Sequence, residues 1–253
     1  MRRFLSVLKL AWLAALAGCA QPGHDRMVLW KIVHGECVAH MAASGSPAPC
    51  LAVHSRAGYA LLKDRDGATQ VLLIPTARVT GIEDKAVRRP GAPDYLALAW
   101  ENRGVVGRLA GHPLRRRDLA LAVNAIAGRT QDQLHIHIDC VQPSVRAAVA
   151  AHVGGLDAAW RAFPVALMGQ PFLARVVAGD GLSGVNPFRL LADQVPGAAE
   201  AMGTWTLVVA GARLPPDNRP GFVLLAGHVD PATGDRGAGE ELQDHACALA
   251  RTP

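Results

Sequence analysis

The sequence is poor in aromatic residues and in charge. Phe, Trp and Tyr make up 5% of its 253 residues, and the four charged residue types make up 19%. So few aromatic side chains offer few platforms on which unpaired bases could stack, which argues against nucleic acid as a partner. Because half of the residues are hydrophobic, the chain is predicted to be globular rather than disordered.

Several motifs of common enzyme classes are also missing. The sequence contains no Gly-rich P-loop, no HExxH and no GxSxG pattern, so nothing indicates the nucleotide, zinc or serine chemistry that these motifs support. It also contains no CxxC and no Cys/His ligand spacing. We therefore expect no zinc site.

The N-terminus has the pattern of an export signal. Arg2 and Arg3 precede a short apolar run, which the tetrapeptide LAGC at 16–19 closes. This tetrapeptide resembles the bacterial lipobox, so Cys19 is predicted to be lipidated and to become the first residue of the mature protein. An uncleaved signal anchor over residues 4–20 is the alternative. In either case the protein is expected in the bacterial cell envelope, anchored to the inner membrane with its body on the periplasmic side.

The remaining chain is predicted to be one unit. Residues 1–19 form the signal or anchor, residues 20–26 a polar linker, and residues 27–253 a single catalytic domain without repeats or low-complexity linkers. Without residues 1–19 the chain holds 23 basic and 21 acidic residues, which gives no polyanion-binding surface.

Four further cysteines lie in this domain: Cys37, Cys50, Cys140 and Cys247. An even number in an oxidising compartment predicts disulfides, and four cysteines allow three pairings. Joining Cys37 to Cys50 would close a short loop, and joining Cys140 to Cys247 would tie the C-terminal tail to the centre of the chain. The sequence leaves the choice of pairing open.

Local patterns predict an α+β fold with a mostly antiparallel sheet, helices packed on one side of it, and a C-terminal extension. The predicted strands are Gly58–Leu62, Gln70–Pro75, Phe172–Val177, Trp205–Ala210 and Gly221–Ala226. The predicted helices are Met27–Val38, Tyr95–Glu101, a helix from Pro113 to Ile126, Val145–Val153, Ala158–Phe163, a turn beginning at Asn186, and Glu240–Leu249.

The most informative stretch is NAIAGRTQDQLHIHIDC at 124–140. In it His135 and His137 alternate with aliphatic residues, which predicts a strand with its imidazoles on one face and a core on the other. Such a pattern also occurs on ordinary polar surfaces. The amides of Asn124 and Gln131, upstream on the same stretch, favour a functional site. A neutral imidazole on a rigid strand can act as a nucleophile towards phosphorus.

The spacing Asn124, Gln131, His135, His137 resembles the N-x6-Q-x3-H-x-H-x-H pattern of the histidine-triad nucleotide hydrolases and transferases. Upstream, the Ile-Pro at 74–75 is similar to the end of a strand in those proteins. Asp139 stands where the third histidine of the pattern would be. Within this superfamily, QDQLHIHIDC, NPFRLL at 186–191 and ELQDHAC at 241–247 resemble the CDP-diacylglycerol pyrophosphatase family.

The resemblance implies a histidine-triad-like fold and a hydrolase that cleaves the pyrophosphate of a lipid-nucleotide in the bilayer, releasing CMP and phosphatidate. His137 would be the nucleophile that carries a cytidylyl group, and His135 would hold the strand and the phosphate. Asn124 and Gln131 would contact sugar or phosphate. The resemblance implies no metal and no cofactor, because an imidazole and positioned donors suffice for this chemistry.

Three further residues belong to the expected substrate-binding set. Gln133 is an additional donor for phosphoryl oxygens, and Arg78, which stands where the superfamily often has histidine, would neutralise pyrophosphate charge. Asp139 departs from the pattern, as does Asp132, and neither is given a specific role.

Two other functions stay open on the sequence. One is a related enzyme that acts on another nucleotide conjugate. The other is a non-catalytic envelope lipoprotein, which the departures at Asp132 and Asp139 would allow.

Overall fold

A computed structural model describes residues 25–251, so the predicted lipidation at Cys19 and the segments before residue 25 lie outside it. The described strands form one sheet. They are β1 (Ala52–His54), β2 (Tyr59–Lys63), β3 (Val71–Pro75), β4 (Leu119–Val123), β5 (Ile136–Val141), β6 (Arg161–Ala162), β7 (Leu173–Ala178), β8 (Trp205–Leu214), β9 (Arg219–His228) and β10 (Gln243–Asp244).

The sheet is antiparallel, with the order β1-β2-β3-β5-β4-β8-β9-β7-β6. The inner strand β5 is bonded on one side to β4 and on the other to β3. The short strand β10 pairs with the C-terminal end of β5, along the same edge as β3, and places Asp244 opposite Cys140. Since β5 is held along both edges, side chains that project from it are rigidly placed.

Seven helical segments and several short 3-10 turns connect the described strands. The helices are α1 (Val28–Trp30), a π-helical segment (Lys31–Val38), α2 (Ala39–Ser44), α3 (Tyr95–Glu101), α4 (Gly104–Ala110), α5 (Pro143–His152) and α6 (Pro187–Gln194). The 3-10 turns are Lys85–Val87, Arg116–Asp118, Val153–Gly155, Met202–Thr204, Gly239–Leu242 and Ala248–Arg251.

Helices cover both faces of the sheet, so the expectation of helices on one side was wrong. The face that bears Leu121 packs against Trp100 of α3 and Leu191 of α6. The opposite face, which bears Ala122, packs against Val145 of α5. The physical reason is that β3 and β4 are apolar at every position, so neither of their faces can be left in water. The α+β class and the antiparallel sheet are confirmed.

The helix predicted from Pro113 to Ile126 was also wrong, because Leu119–Val123 forms strand β4. Leucine and valine alternate with alanine in this strand, and all five residues are buried. In a strand buried on both faces, apolar residues at every position also satisfy a helical spacing of three and four. Periodicity alone therefore could not separate the two structures.

Two other predicted helices are absent from the described chain. Ala158–Phe163 instead forms a turn, in which the Asp157 carboxylate accepts from the amide of Ala159, followed by the short strand β6. Glu240–Leu249 instead begins with the 3-10 turn Gly239–Leu242 and continues into β10. In this segment pairing with the open edge of β5 replaces helical hydrogen bonds.

The other predicted elements are confirmed, α3 with the predicted bounds and the rest with one or both ends shifted. The hairpin of β2 and β3 forms around the Asp-Gly turn, and α6 begins at the predicted Asn-Pro, where the Asn186 side chain accepts from the amide of Arg189. The first predicted helix extends further than expected, through α2.

Of the three possible cysteine pairings, the structure has Cys37–Cys50 and Cys140–Cys247, with Cα–Cα distances of 5.6 and 5.2 Å. The second bridge fastens the C-terminal segment to β5. Within residues 25–251, no helix combines the length and the hydrophobicity needed to cross a bilayer.

Candidate active site

A cleft of about 390 Å³ lies on the sheet face that carries the two histidines. One wall is apolar and comes from the first helical segment and the β2–β3 hairpin, including Leu29, Ile32 and Leu72. The other wall is polar and includes His135 and His137. The volume is within the range of small-molecule sites.

The predicted alternation along β5 is confirmed. Ile136 and Ile138 are buried in the core beneath α3, while His137 faces the cleft on the opposite side. His135, just before the strand, lies with its ring centroid 4.9 Å from that of His137 and nearly edge-on to it. The pattern of one core face and one imidazole face thus places two rings side by side.

The two ring nitrogens of His137 differ in their contacts. Its Nδ1 lies 2.9 Å from Nε2 of Gln70 and 3.1 Å from Oε2 of Glu240. Its Nε2 is buried and has no hydrogen-bond partner among the described residues. Burial, together with the nearby charge of His245, lowers the pKa of His137 to about 3, so the ring is neutral at physiological pH. A neutral imidazole with an uncommitted nitrogen is the form that can act as a nucleophile.

His135 is held in a single tautomer. Its Nδ1 lies 2.7 Å from the carbonyl oxygen of Gln133, and because a carbonyl can only accept, Nδ1 carries the proton. Burial and the neighbouring His137 lower the pKa of His135 to about 4. Both imidazoles are therefore uncharged in the folded protein near neutral pH.

Asp139 does not line the cleft, and its buried carboxylate contacts a third imidazole, that of His245. Its Oδ2 lies 2.8 Å from Nδ1 of His245, and its Oδ1 accepts from the Thr69 hydroxyl at 2.6 Å and the Cys140 amide at 2.8 Å. The hydrogen bond to Asp139 raises the pKa of His245. Asp139 is thus a buried carboxylate that orients an imidazole from the C-terminal segment.

Asn124 lines the cleft, but its amide is engaged within the protein. Its Nδ2 donates to Oε1 of Glu240 at 2.8 Å, and its Oδ1 accepts from the Glu240 amide at 3.2 Å. Gln131 also lines the cleft, where its Oε1 accepts from the Leu29 amide at 3.0 Å and its Nε2 donates to the Asp25 carbonyl at 3.0 Å. Each amide therefore fixes a neighbouring segment of the wall.

Neither the buried Gln133 nor the exposed Arg78 is among the residues that line the cleft. Gln133 is fully buried and donates to the carbonyls of Pro75 and Ala77 at 2.9 and 2.8 Å. Arg78 donates to Oε1 of Gln133 at 3.0 Å and to the carbonyl of Asp132. Both side chains anchor the loop that leads into the histidine strand.

Sequence reasoning missed several residues that line the cleft or contact its histidines. Glu240 immediately precedes ELQDHAC, a segment that only the resemblance indicates, and Gln70, which contacts His137, has the pattern of an ordinary first residue of a strand. The β2–β3 turn adds Arg65, whose exposed guanidinium lies 3.3 Å from Asp66. In the sequence, the charged turn between two buried strands was the one signal that could have indicated this basic part of the cleft.

A second basic residue of the wall, Arg129, is neutralised within the protein. It makes a two-pronged ion pair with Glu83, at 2.7 Å for each contact, and contacts Asp132 at 3.1 Å. Arg26 binds Asp132 from the other side at 2.7 Å, and these guanidinium groups lower the pKa of Asp132 to about 2. Asp132 thus belongs to an ion-pair network at the base of the first helix.

The part of the chain that the structure describes holds no group of three or more His, Cys, Asp or Glu side chains arranged to bind a metal ion.

Two comparisons with known proteins place the site in context. The sequence profile of the family described as "CDH: CDP-diacylglycerol pyrophosphatase" matches residues 24–251. A CDP-diacylglycerol pyrophosphatase of Yersinia pestis is 42% identical over 221 residues, which cover 87% of this chain and 84% of that relative.

Proposed function

The chain belongs to the CDP-diacylglycerol pyrophosphatase family and is therefore a hydrolase, and we propose that it cleaves CDP-diacylglycerol to CMP and phosphatidate through a cytidylyl-histidine intermediate. One observation carries the mechanism. His137 is a buried, neutral imidazole whose Nε2 has no partner among the described residues, and it lies in a cleft of suitable size.

In the proposed first step, the lone pair on Nε2 of His137 attacks the cytidylyl phosphorus. The N–P bond forms as the bond from that phosphorus to the bridging oxygen breaks, and phosphatidate leaves with the electron pair. In the second step water attacks the same phosphorus and loses a proton to solvent, the N–P bond breaks with its electron pair returning to Nε2, and CMP is released with His137 restored as a neutral imidazole. The apolar wall of the cleft limits access of water to the nitrogen before substrate binds.

The position of Asp25, the first residue that the structure describes, is consistent with a membrane-bound substrate. If Cys19 is lipidated, six residues lead from it to Asp25, a span of at most about 21 Å. The Asp25 carbonyl accepts from Gln131, which lines the cleft. A histidine-triad-like domain anchored in this way on the periplasmic side of the inner membrane would keep its cleft close to a substrate that diffuses in the bilayer.

The function is tested with the full chain in detergent micelles that contain CDP-diacylglycerol, in water enriched in ¹⁸O. We expect CMP and phosphatidate in equal amounts, with the ¹⁸O in CMP, because water enters at the cytidylyl phosphorus. His137→Ala should abolish turnover. His112→Ala is the control, because His112 lies outside the cleft.

Each other outcome has a distinct meaning. Incorporation of ¹⁸O into phosphatidate would refute attack on the cytidylyl phosphorus. Turnover of water-soluble CDP or UDP conjugates without turnover of CDP-diacylglycerol would support the other-conjugate function. Failure to hydrolyse any of these substrates would leave the non-catalytic lipoprotein.

A further inference from the structure

Glu240 is held in place by a reciprocal pair of hydrogen bonds. Its Oε1 accepts from Nδ2 of Asn124 at 2.8 Å, and its backbone amide donates to Oδ1 of the same side chain at 3.2 Å. Its second oxygen, Oε2, lies 3.1 Å from Nδ1 of His137. One amide side chain therefore fixes both the backbone and the carboxylate of Glu240 and aims one oxygen at the imidazole.

The fold brings this carboxylate to the strand by a tight approach. Glu240 lies in the 3-10 turn Gly239–Leu242, and a Cβ at Gly239 would come within 2.3 Å of Oγ1 of Thr206, so only glycine lets the turn lie this close to the sheet. Beyond the turn, Nε2 of Gln243 donates to the carbonyl of His137 at 3.1 Å. The same segment thus contacts both the backbone and the ring of the nucleophile.

The two groups beside Nδ1 of His137 favour opposite tautomers. Nε2 of Gln70 donates, which requires a lone pair on Nδ1, whereas a carboxylate can only accept, which requires a proton there. The bond to the carboxylate is charge-assisted and is therefore the stronger of the two. Gln70 can also present its oxygen by turning its amide, so it adapts to either tautomer. The carboxylate of Glu240 therefore determines the tautomer of His137.

We propose that Glu240 is the positioning residue of the reaction, holding His137 with its proton on Nδ1 and its lone pair on Nε2. This inference rests on the proposed function of His137 as nucleophile. When Nε2 bonds to phosphorus, the ring becomes a cation that still carries the Nδ1 proton. The carboxylate then faces that positive charge, so it stabilises the intermediate as well as the reactive tautomer.

Two substitutions separate this role from a structural one. In Glu240→Gln, the oxygen is expected to face Nδ2 of Asn124, which turns the new NH₂ group towards Nδ1 of His137. That group donates and therefore favours the wrong tautomer, with the proton on Nε2. Glu240→Ala removes the carboxylate without adding a donor. A positioning role predicts that Gln is at least as harmful as Ala, whereas a structural role predicts that the isosteric Gln is the milder change.

The experiment measures kcat and KM for CDP-diacylglycerol with both variants and with Glu241→Gln as the matched control. Glu241 is exposed in the same turn and is not among the residues that line the cleft. We expect kcat to fall about 100- to 10,000-fold in Glu240→Gln, from the usual contribution of a proton-transfer group up to the loss caused by a catalytic imidazole in the wrong tautomer, with KM within about threefold of wild type. Glu241→Gln should match wild type.

A second measurement does not depend on substrate. In ¹⁵N NMR of the resting protein, we expect the proton of His137 on Nδ1 in the wild type and displaced towards Nε2 in Glu240→Gln. A wild-type proton on Nε2, a loss in Glu240→Gln that is smaller than in Glu240→Ala, or an equal loss in Glu241→Gln would overturn the inference. If the NMR result holds but the wild type does not hydrolyse CDP-diacylglycerol, the proposed function fails and the tautomer assignment stands.

Discussion

Removal of the bridge between Cys140 and Cys247 is expected to damage the protein more than removal of the bridge between Cys37 and Cys50. The bridges join residues 107 and 13 positions apart. In the chain-entropy relation, a cross-link restricts the unfolded chain more when the loop is longer. At 25 °C it gives about 4.8 kcal/mol of stability for the long loop and about 2.9 kcal/mol for the short one.

The comparison uses two double variants, Cys140→Ala with Cys247→Ala, and Cys37→Ala with Cys50→Ala. All four side chains are at most 5% exposed, so the loss of buried sulfur is similar in each pair and largely cancels. The difference in the free energy of unfolding, about 1.9 kcal/mol, should therefore come mainly from loop length.

The assay is urea denaturation of each oxidised protein, followed by tryptophan fluorescence, with activity measured in parallel. We also expect kcat to fall in the Cys140/Cys247 variant, because that bridge fastens the segment that bears Glu240 to the histidine strand. Equal losses of stability, or a larger loss from the Cys37/Cys50 variant, would refute the argument from loop length. Unchanged kcat in the Cys140/Cys247 variant would show that β10 alone holds the segment.

Two further predictions concern charge in the cleft. Burial depresses the pKa of His135 to about 4 and of His137 to about 3, so below pH 6.5 the unfolded chain binds more protons than the folded one. The free energy of unfolding should therefore fall as the pH is lowered from 6.5 towards 4, by up to about 1.4 kcal/mol per pH unit for each histidine. Urea titrations should show a shallower slope in His137→Gln, and an unchanged slope would contradict the assignment. Arg65→Ala should raise KM about five- to thirtyfold, as expected for the loss of about 1–2 kcal/mol of attraction to the pyrophosphate. The control Arg56→Ala should leave KM unchanged, because Arg56 is exposed outside the cleft. Equal KM values in the two variants would contradict a contact between Arg65 and the substrate.

The histidine strand was predictable because its information is local. Alternation over five residues requires a strand with two different faces, and Ile136 and Ile138 mark the buried one. The hairpin of β2 and β3 was predictable for the same reason, since its turn lies between two apolar runs. By contrast, Leu119–Val123 is apolar on both faces, and its pattern fits either a helix or a strand.

The contacts that prepare His137 were not predictable from local pattern. Asn124 and Glu240 are 116 positions apart, and nothing in the residues around either one indicates that they meet. The resemblance to the histidine-triad pattern indicates a substrate contact for Asn124 but not the hydrogen bonds by which its amide holds the Glu240 carboxylate. Likewise, Asp139 and His245 are 106 positions apart, and nothing in the residues around Asp139 indicates that it binds this imidazole.

The covalent role of His137 is tested most directly by a single-turnover reaction with CDP-diacylglycerol labelled in its cytidylyl phosphate, quenched in alkali and run beside His137→Ala. We expect a label on the wild-type protein that is stable in alkali and labile in acid, as a phosphoramidate is, and that appears before CMP and decays as CMP forms. His137→Ala should carry no label. Formation of CMP by the wild type with no labelled protein at any quench time, or an equal label on His137→Ala, would contradict nucleophilic catalysis by this histidine.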